Sequence, residues 1–312
     1  MKNKVVIITG PTSVGKTSLS IELAKRINGE IISADSMQVY KYMDIGSAKI
    51  KPSEMDNIKH HLIDILEPTV DFNVYLFQKM AKEAMDEIYQ NGHIPIIVGG
   101  TGFYIQALLY DITFDEEDNS AVRKKYEDLL KERGCSYLYN LLKEKDPKYA
   151  DTLHENNSKK VIRALEYIEL NNKLFSQHNE EERKKESPYD FSYFVLNDDR
   201  DKLYENIEKR VDIMVKEGLL EEVKSLHDKG YTKSMNSMQG LGYKEILDYL
   251  DNKCSFEEAI DKIKLETRHF AKRQLTWFRR EKKVTWINKP DFSYNNDKIL
   301  EFMIGEINHA GN

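Results

Sequence analysis

Lys4-Val5-Val6-Ile7-Ile8-Thr9-Gly10-Pro11-Thr12-Ser13-Val14-Gly15-Lys16-Thr17 decides the fold. The β-branched run Val5–Ile8 reads as a strand buried on both faces. It enters a segment that satisfies G-x-x-x-x-G-K-[ST]. Leu19, Leu23 and Ile27 then recur at helical spacing, and Asn28-Gly29 stops the helix. Strand, glycine loop and helix in this order make a phosphate site. Its glycines let backbone N–H groups wrap the anion, the helix terminus adds a favourable dipole, Lys16 neutralises charge and the Thr17 hydroxyl can ligate Mg²⁺. The phosphate-binding set read from the loop is Gly10, Pro11, Thr12, Ser13, Val14, Gly15, Lys16 and Thr17, with Thr17 also the candidate metal ligand; the loop does not say what carries the phosphates.

Downstream, strands alternate with helices. Glu30–Ala34 reads as a second strand, His60–Leu66 as a third and Ile94–Val98 as a fourth, with helices over about 73–90 and from Gly99-Gly100-Thr101-Gly102 through Tyr110. That alternation predicts an α/β fold: a P-loop core on a parallel, doubly wound sheet. From Asp111 the character changes. Asp115-Glu116-Glu117-Asp118-Asn119 is an acidic connection, and two or three helices follow at about 120–133, 136–145 and 158–171 before a charged stretch over 179–187. Phe191–Leu196 returns as a strand, so the helices are an inserted all-helical subdomain. The expected division is 1–114 with 190–312 as core and 115–189 as insertion. The C-terminal part is helical, at about 202–217, 219–228, 243–250 and 256–281, with a last strand at Val284–Ile287 and a final helix.

The bulk composition narrows the class. The chain has 312 residues, 40% hydrophobic and 32% charged, which suits a folded globular protein and excludes a disordered one. No apolar run is long enough to span a bilayer, and Met1–Lys4 leads into a strand without a signal peptide. Cys135 and Cys254 fall in no metal-ligand spacing, which suits free thiols in the cytoplasm. The net charge of −6 gives no general attraction for nucleic acid, so any such partner needs a local basic face. One exists: Arg268, Lys272, Arg273, Arg279, Arg280, Lys282 and Lys283, interleaved with Gln274, Trp277 and Phe278. If the helix runs to 281, Arg273 and Arg280 share a side. Lys159, Lys160 and Arg163 form a weaker cluster on the insertion. Two patches flanking the P-loop rim suggest a polyanion held between core and insertion.

Asp35 ends the second strand and emerges on the P-loop rim. It reads equally as a Mg²⁺ ligand, a general base or a cap for Ser36-Met37-Gln38. Thr101 is either the N-cap of its helix or a hydroxyl over the same rim. No hydrophobic strand ends in the acidic residue usual in ATPases, which weakens a simple NTPase reading.

The motifs taken together resemble the bacterial tRNA dimethylallyltransferase (tRNA isopentenyltransferase) family. The resemblance rests on Gly10–Thr17, Asp35-Ser36-Met37-Gln38-Val39-Tyr40, Met43–Lys49, His60–Asp64, Val98–Tyr104, Arg163–Glu166, Gly240–Glu245 and Thr267–Arg279. It implies that the loop holds the diphosphate of dimethylallyl diphosphate and that the prenyl group goes to N6 of the adenosine at tRNA position 37. It also implies Asp35 as base, Thr101 near phosphates and base, and Arg210 and Mg²⁺ at the diphosphate. For the tRNA anticodon stem-loop it implies contacts from Asp35, Ser36, Met37 and Gln38 and from Arg123, Lys159, Lys160, Val161, Ile162 and Arg163. Gln239, Gly240, Leu241, Gly242, Tyr243 and Lys244 follow, then Lys272, Arg273, Gln274, Trp277, Arg279 and Arg280. A monomeric cytoplasmic enzyme is expected. The rivals are a nucleoside or other small-molecule kinase, which would turn over ATP, a prenyltransferase acting on free adenine nucleotide, and an NTP-gated RNA-binding module with no reaction.

Overall fold

A computed structural model describes residues 2–114 and 120–309. They form two compact units, Met1–Leu109 with Pro188–Asn312 and Tyr110–Ser187. In the first, β1 (Lys4–Thr9) leads through the glycine loop to α1 (Lys16–Ile27), β2 (Gly29–Ser33) and β3 (His60–His61). Then come α2 (Val74–Gln90), β4 (Ile94–Gly99) and α3 (Gly102–Leu109). The second unit holds α4 (Ser120–Arg133), α5 (Cys135–Lys145), α6 (Pro147–Ala150), α7 (Ser158–Asn171) and α8 (Phe175–Lys184). The chain returns with β5 (Asp190–Asn197), α9 (Arg200–Glu217), α10 (Leu219–Asp228), α11 (Tyr243–Leu250), α12 (Phe256–Phe278), β6 (Thr285–Asn288) and α13 (Asn296–His309).

The six strands form one parallel sheet in the order β3-β2-β4-β1-β5-β6. Val5, Val6, Ile7 and Ile8 are all 0% exposed, as the unbroken apolar run requires. Val6 and Ile8 join a core with Leu19, Leu23 and Ala24 of α1 and Leu300 and Met303 of α13. Val5 and Ile7, one residue out of phase, must face the opposite layer, so the sheet is covered on both sides. The second unit has its own core of Tyr126, Leu138, Leu142, Val161, Leu165 and Phe175.

Three expectations are corrected. The run His60–Leu66 is a strand for two residues only, because Leu62 and Asp64 have φ of 61° and 57° and turn the chain away. The N–H groups of Asp64, Ile65 and Leu66 donate instead to the carbonyls of Gln38 and Val39 (2.9–3.0 Å), building that stretch into the loop after β2. The helix expected to reach residue 281 ends at Phe278, with Arg279 as C-cap, so Arg280 does not share a helix face with Arg273. The charged stretch at 179–187 belongs mostly to α8, a helix whose start carries no local cap. Its Ser176 N–H donates to the fully buried Asp146 Oδ2 at 2.7 Å, thirty residues away. The acidic connection at 115–119 lies outside the described residues.

Candidate phosphate-binding active site

The glycine loop takes a path that only its residues allow. Gly10 has φ 142°, and a Cβ there would lie 2.4 Å from the Leu196 carbonyl oxygen of β5. Ser13 and Gly15 are also left-handed, at φ 64° and 95°. Gly15 caps α1 without a side-chain bond, so the first-turn N–H groups remain open to an anion. Lys16 Nζ reaches back across the loop and donates to the carbonyls of Gly10 (3.0 Å) and Pro11 (2.8 Å).

The loop floors a cleft of about 330 Å³ lined by Thr12, Ser13, Gly15, Lys16 and Thr17, by Asp35 and Gln38 after β2, by Gly100 after β4, by Asn206, Lys209, Arg210 and Ile213 on α9, and by Phe270 and Gln274 on α12. Besides Lys209, which pairs with Glu205, two desolvated cations crowd it. Burial, together with the Arg210 guanidinium, pulls the Lys16 ammonium down to about 7, against the raising influence of Asp35. Arg210 is itself lowered by burial and raised by Asp35. Two partly desolvated cations facing one carboxylate leave the site short of negative charge, as an anion-binding site should be.

Asp35 does cap the following turn: its Oδ1 accepts from the N–H groups of Met37 (2.8 Å) and Gln38 (3.3 Å). Its Oδ2 makes no hydrogen bond to any described residue, so the cap leaves one oxygen for chemistry. Gln38 Nε2 donates to the carbonyls of Ser47 (3.3 Å) and Ala48 (3.2 Å). Thr101 holds the N-cap position of α3, its carbonyl accepting from Tyr104 and Ile105 N–H. It is not among the residues lining the cleft, although its neighbour Gly100 is.

Gln274 is 6% exposed and works as a clasp. Its Oε1 accepts from Thr12 N–H (2.9 Å) and its Nε2 donates to Gly100 O (3.0 Å). A Cβ on Gly100 would sit 2.0 Å from that Nε2. Gln274→Ala should therefore free the loop and weaken binding of inorganic pyrophosphate about tenfold, read by calorimetry.

The residues assigned to RNA by resemblance divide by exposure. Lys159, Lys160, Lys272, Arg273, Arg279 and Arg280 are exposed. Arg163 and Gln239 are exposed as well, and Arg123 pairs with Glu127. Ser36, Met37, Leu241 and Lys244 are half-buried, and Gly240 and Gly242 are buried; a Cβ on Gly240 would lie 2.8 Å from Met37 Sδ. Trp277 is half-buried against Phe103. Val161, Ile162 and Tyr243 have side chains at 0%, 5% and 0% exposure inside their units; they hold structure and present no side chain to solvent. Arg268, counted in the basic face, is tied to Glu208 and lies over Tyr204. Sequence reasoning missed Asn206, Lys209, Ile213 and Phe270. The one available signal was on α9, where Asn206, Arg210 and Ile213 fall on one helical face.

A glycine-lysine loop on a parallel sheet, with convergent cations and one half-free carboxylate at its rim, defines an α/β enzyme core with a cleft suited to an anion. The IPP transferase family model matches residues 38–281. A tRNA dimethylallyltransferase of Lachnoclostridium phytofermentans is 58% identical over 302 residues, covering 96% of each chain. One of Acetivibrio thermocellus is 50% identical over 300 residues, again with 96% of each covered. A solved structure of a eukaryotic dimethylallyltransferase acting on tRNA is 31% identical with a TM-score of 0.81, covering 93% of this chain and 75% of that one. The chain belongs to the IPP transferase family, and it is a transferase.

Proposed function

We propose that the protein transfers the dimethylallyl group of dimethylallyl diphosphate to N6 of the adenosine at position 37 of tRNA, releasing diphosphate. The observation that carries this reading is the unbonded Asp35 Oδ2, which shares one cleft with Lys16, Arg210 and the loop amides. The N6 lone pair is delocalised into the purine ring, so the amine needs a base. As the N6–C1 bond forms and the C1–O bond breaks, Asp35 Oδ2 takes the N6 proton, and the bonding pair leaves with diphosphate. Lys16, Arg210 and the open N–H groups at the start of α1 neutralise the departing charge. Thr101, one residue beyond the cleft lining, would help to orient the base.

Among the described residues no group of three His, Cys, Asp or Glu side chains could hold a metal. The Thr17 hydroxyl is nevertheless an oxygen donor that suits a hard cation and would hold it at the loop. Mg²⁺ so held would supply further neutralisation of the leaving group. The stacked adenosine must be flipped into the cleft at a cost of a few kcal/mol, which phosphate contacts from Lys272, Arg273, Arg279 and Arg280 would offset. Arg123, Lys159, Lys160 and Arg163 of the helical unit would add to them. No helix among the described residues is long and apolar enough to cross a membrane, and a tRNA substrate would suit a cytoplasmic enzyme.

The test is transfer of labelled prenyl from dimethylallyl diphosphate to unmodified tRNA with Mg²⁺ and no ATP. Label in the RNA supports the reading; ATP turnover without label would return the loop to a kinase role. None of Lys272, Arg273, Arg279 and Arg280 is ion-paired to a described residue. Replacing Arg279 and Arg280 by Gln should therefore lower the slope of log affinity for tRNA against log salt by about 0.7–0.9 per lost phosphate contact.

A further inference from the structure

The loop between Tyr40 and Lys49 is held from a distance by a side chain outside the cleft. The Glu222 carboxylate of α10 accepts from the backbone N–H groups of Asp44 (2.9 Å), Ile45 (2.7 Å) and Gly46 (3.0 Å). It also accepts from the hydroxyl of Tyr243 at 2.7 Å. Three consecutive loop N–H groups are thus satisfied by one carboxylate from nearly 180 residues downstream, itself held by the Tyr243 hydroxyl. Gly46 is where the Tyr243 ring approaches; a Cβ there would lie 2.6 Å from the ring. The carbonyls at the far end of this loop, Ser47 O and Ala48 O, receive the two Gln38 Nε2 bonds. That fixes which way the Gln38 amide points and leaves Oε1 with only a long 3.5 Å contact from Ser33 Oγ. Gln38 lines the cleft, and its own N–H donates to Asp35 Oδ1.

We infer that Glu222, seconded by Tyr243, is a positioning residue for the adenine side of the site, acting through the Asp44–Ala48 loop and Gln38. The proposal rests on the transfer to adenosine proposed above. Adenine N6 carries two protons. Asp35 takes one, and a Gln38 amide held with Oε1 uncommitted can accept the other, an arrangement that a base with a carbonyl at that position cannot satisfy. The diphosphate half of the cleft is built from the P-loop, α9 and α12 and does not depend on this relay.

Glu222→Gln keeps the shape but turns an NH₂ group toward donors, and should lower kcat/KM for tRNA on the order of tenfold to a hundredfold. The Kd for dimethylallyl diphosphate should stay within about twofold. Tyr243→Phe, which keeps the ring packing, should give a smaller loss of the same kind and decides the matter if the Glu222 variant fails to fold. In a Gln38→Ala background the Glu222→Gln change should cost little more. Unchanged tRNA kinetics, a parallel loss of dimethylallyl diphosphate affinity, or an undiminished cost in the Gln38→Ala background would each overturn the assignment. A wild-type protein that transfers no prenyl group to tRNA would remove the underlying reaction, and the assignment with it. A transferring wild type with an equally active Glu222→Gln variant would remove only the assignment.

Discussion

Asp35→Asn will lower kcat for prenyl transfer by roughly 10²–10⁴-fold, with little change in Tm and a far smaller change in the Kd for dimethylallyl diphosphate, felt only through the support that Asp35 gives the Lys16 and Arg210 charges. The geometry makes this substitution more informative than Asp35→Ala. Asparagine keeps an Oδ1 that accepts from Met37 and Gln38 N–H, so the cap that Asp35 provides survives. What it loses is a basic oxygen at the Oδ2 position. Alanine removes both, and its effect would mix lost basicity with a cap worth about 0.5–2 kcal/mol. Single-turnover rates and thermal melts on both variants check this. An Asp35→Asn enzyme within a few-fold of wild type would leave Asp35 as a cap alone and move the base elsewhere.

How much of this was legible from sequence follows from the range of the interactions. The P-loop was readable because its strand, glycines, lysine and helix are contiguous and each residue type answers to local backbone or charge chemistry. The sheet was readable for the same reason, since its strands are short apolar runs that must be buried on both faces. The failures share one cause. Leu62 and Asp64 leave the strand because the next three N–H groups find partners at Gln38 and Val39, and α8 starts where a remote Asp146 can bond its first turn. Gln274 lies in the basic stretch, yet its neighbours Thr12 and Gly100 make it a buried clasp. Glu222, held by Tyr243, carries a loop nearly 180 residues upstream of it. Periodicity and motif reading assign a residue to a face; which partner waits there is a property of the tertiary fold.

Lys16 will make binding of dimethylallyl diphosphate pH-dependent near neutrality, several pH units below the range in which an ordinary lysine site loses its charge. With its ammonium held near 7 in the free protein, about nine-tenths of Lys16 is neutral at pH 8. An incoming diphosphate favours the charged form and raises that pKa, so binding must take up a proton. By linkage the affinity falls as pH rises above 7, by up to tenfold per unit, until the pH passes the pKa of the bound state. A lysine at the ordinary value near 10.5 would give no uptake at pH 8. Calorimetry at pH 8 in buffers of different ionisation heat should report close to one proton taken up per ligand. Lys16→Met should abolish the uptake and weaken binding by roughly 10- to 100-fold, the value of a lost charged hydrogen bond. Arg210→Gln is the sharper control, because it removes a neighbouring cation that depresses Lys16. It should weaken binding while reducing proton uptake, since more of Lys16 then starts protonated. An unaltered uptake in that variant would leave burial as the sole cause of the Lys16 shift.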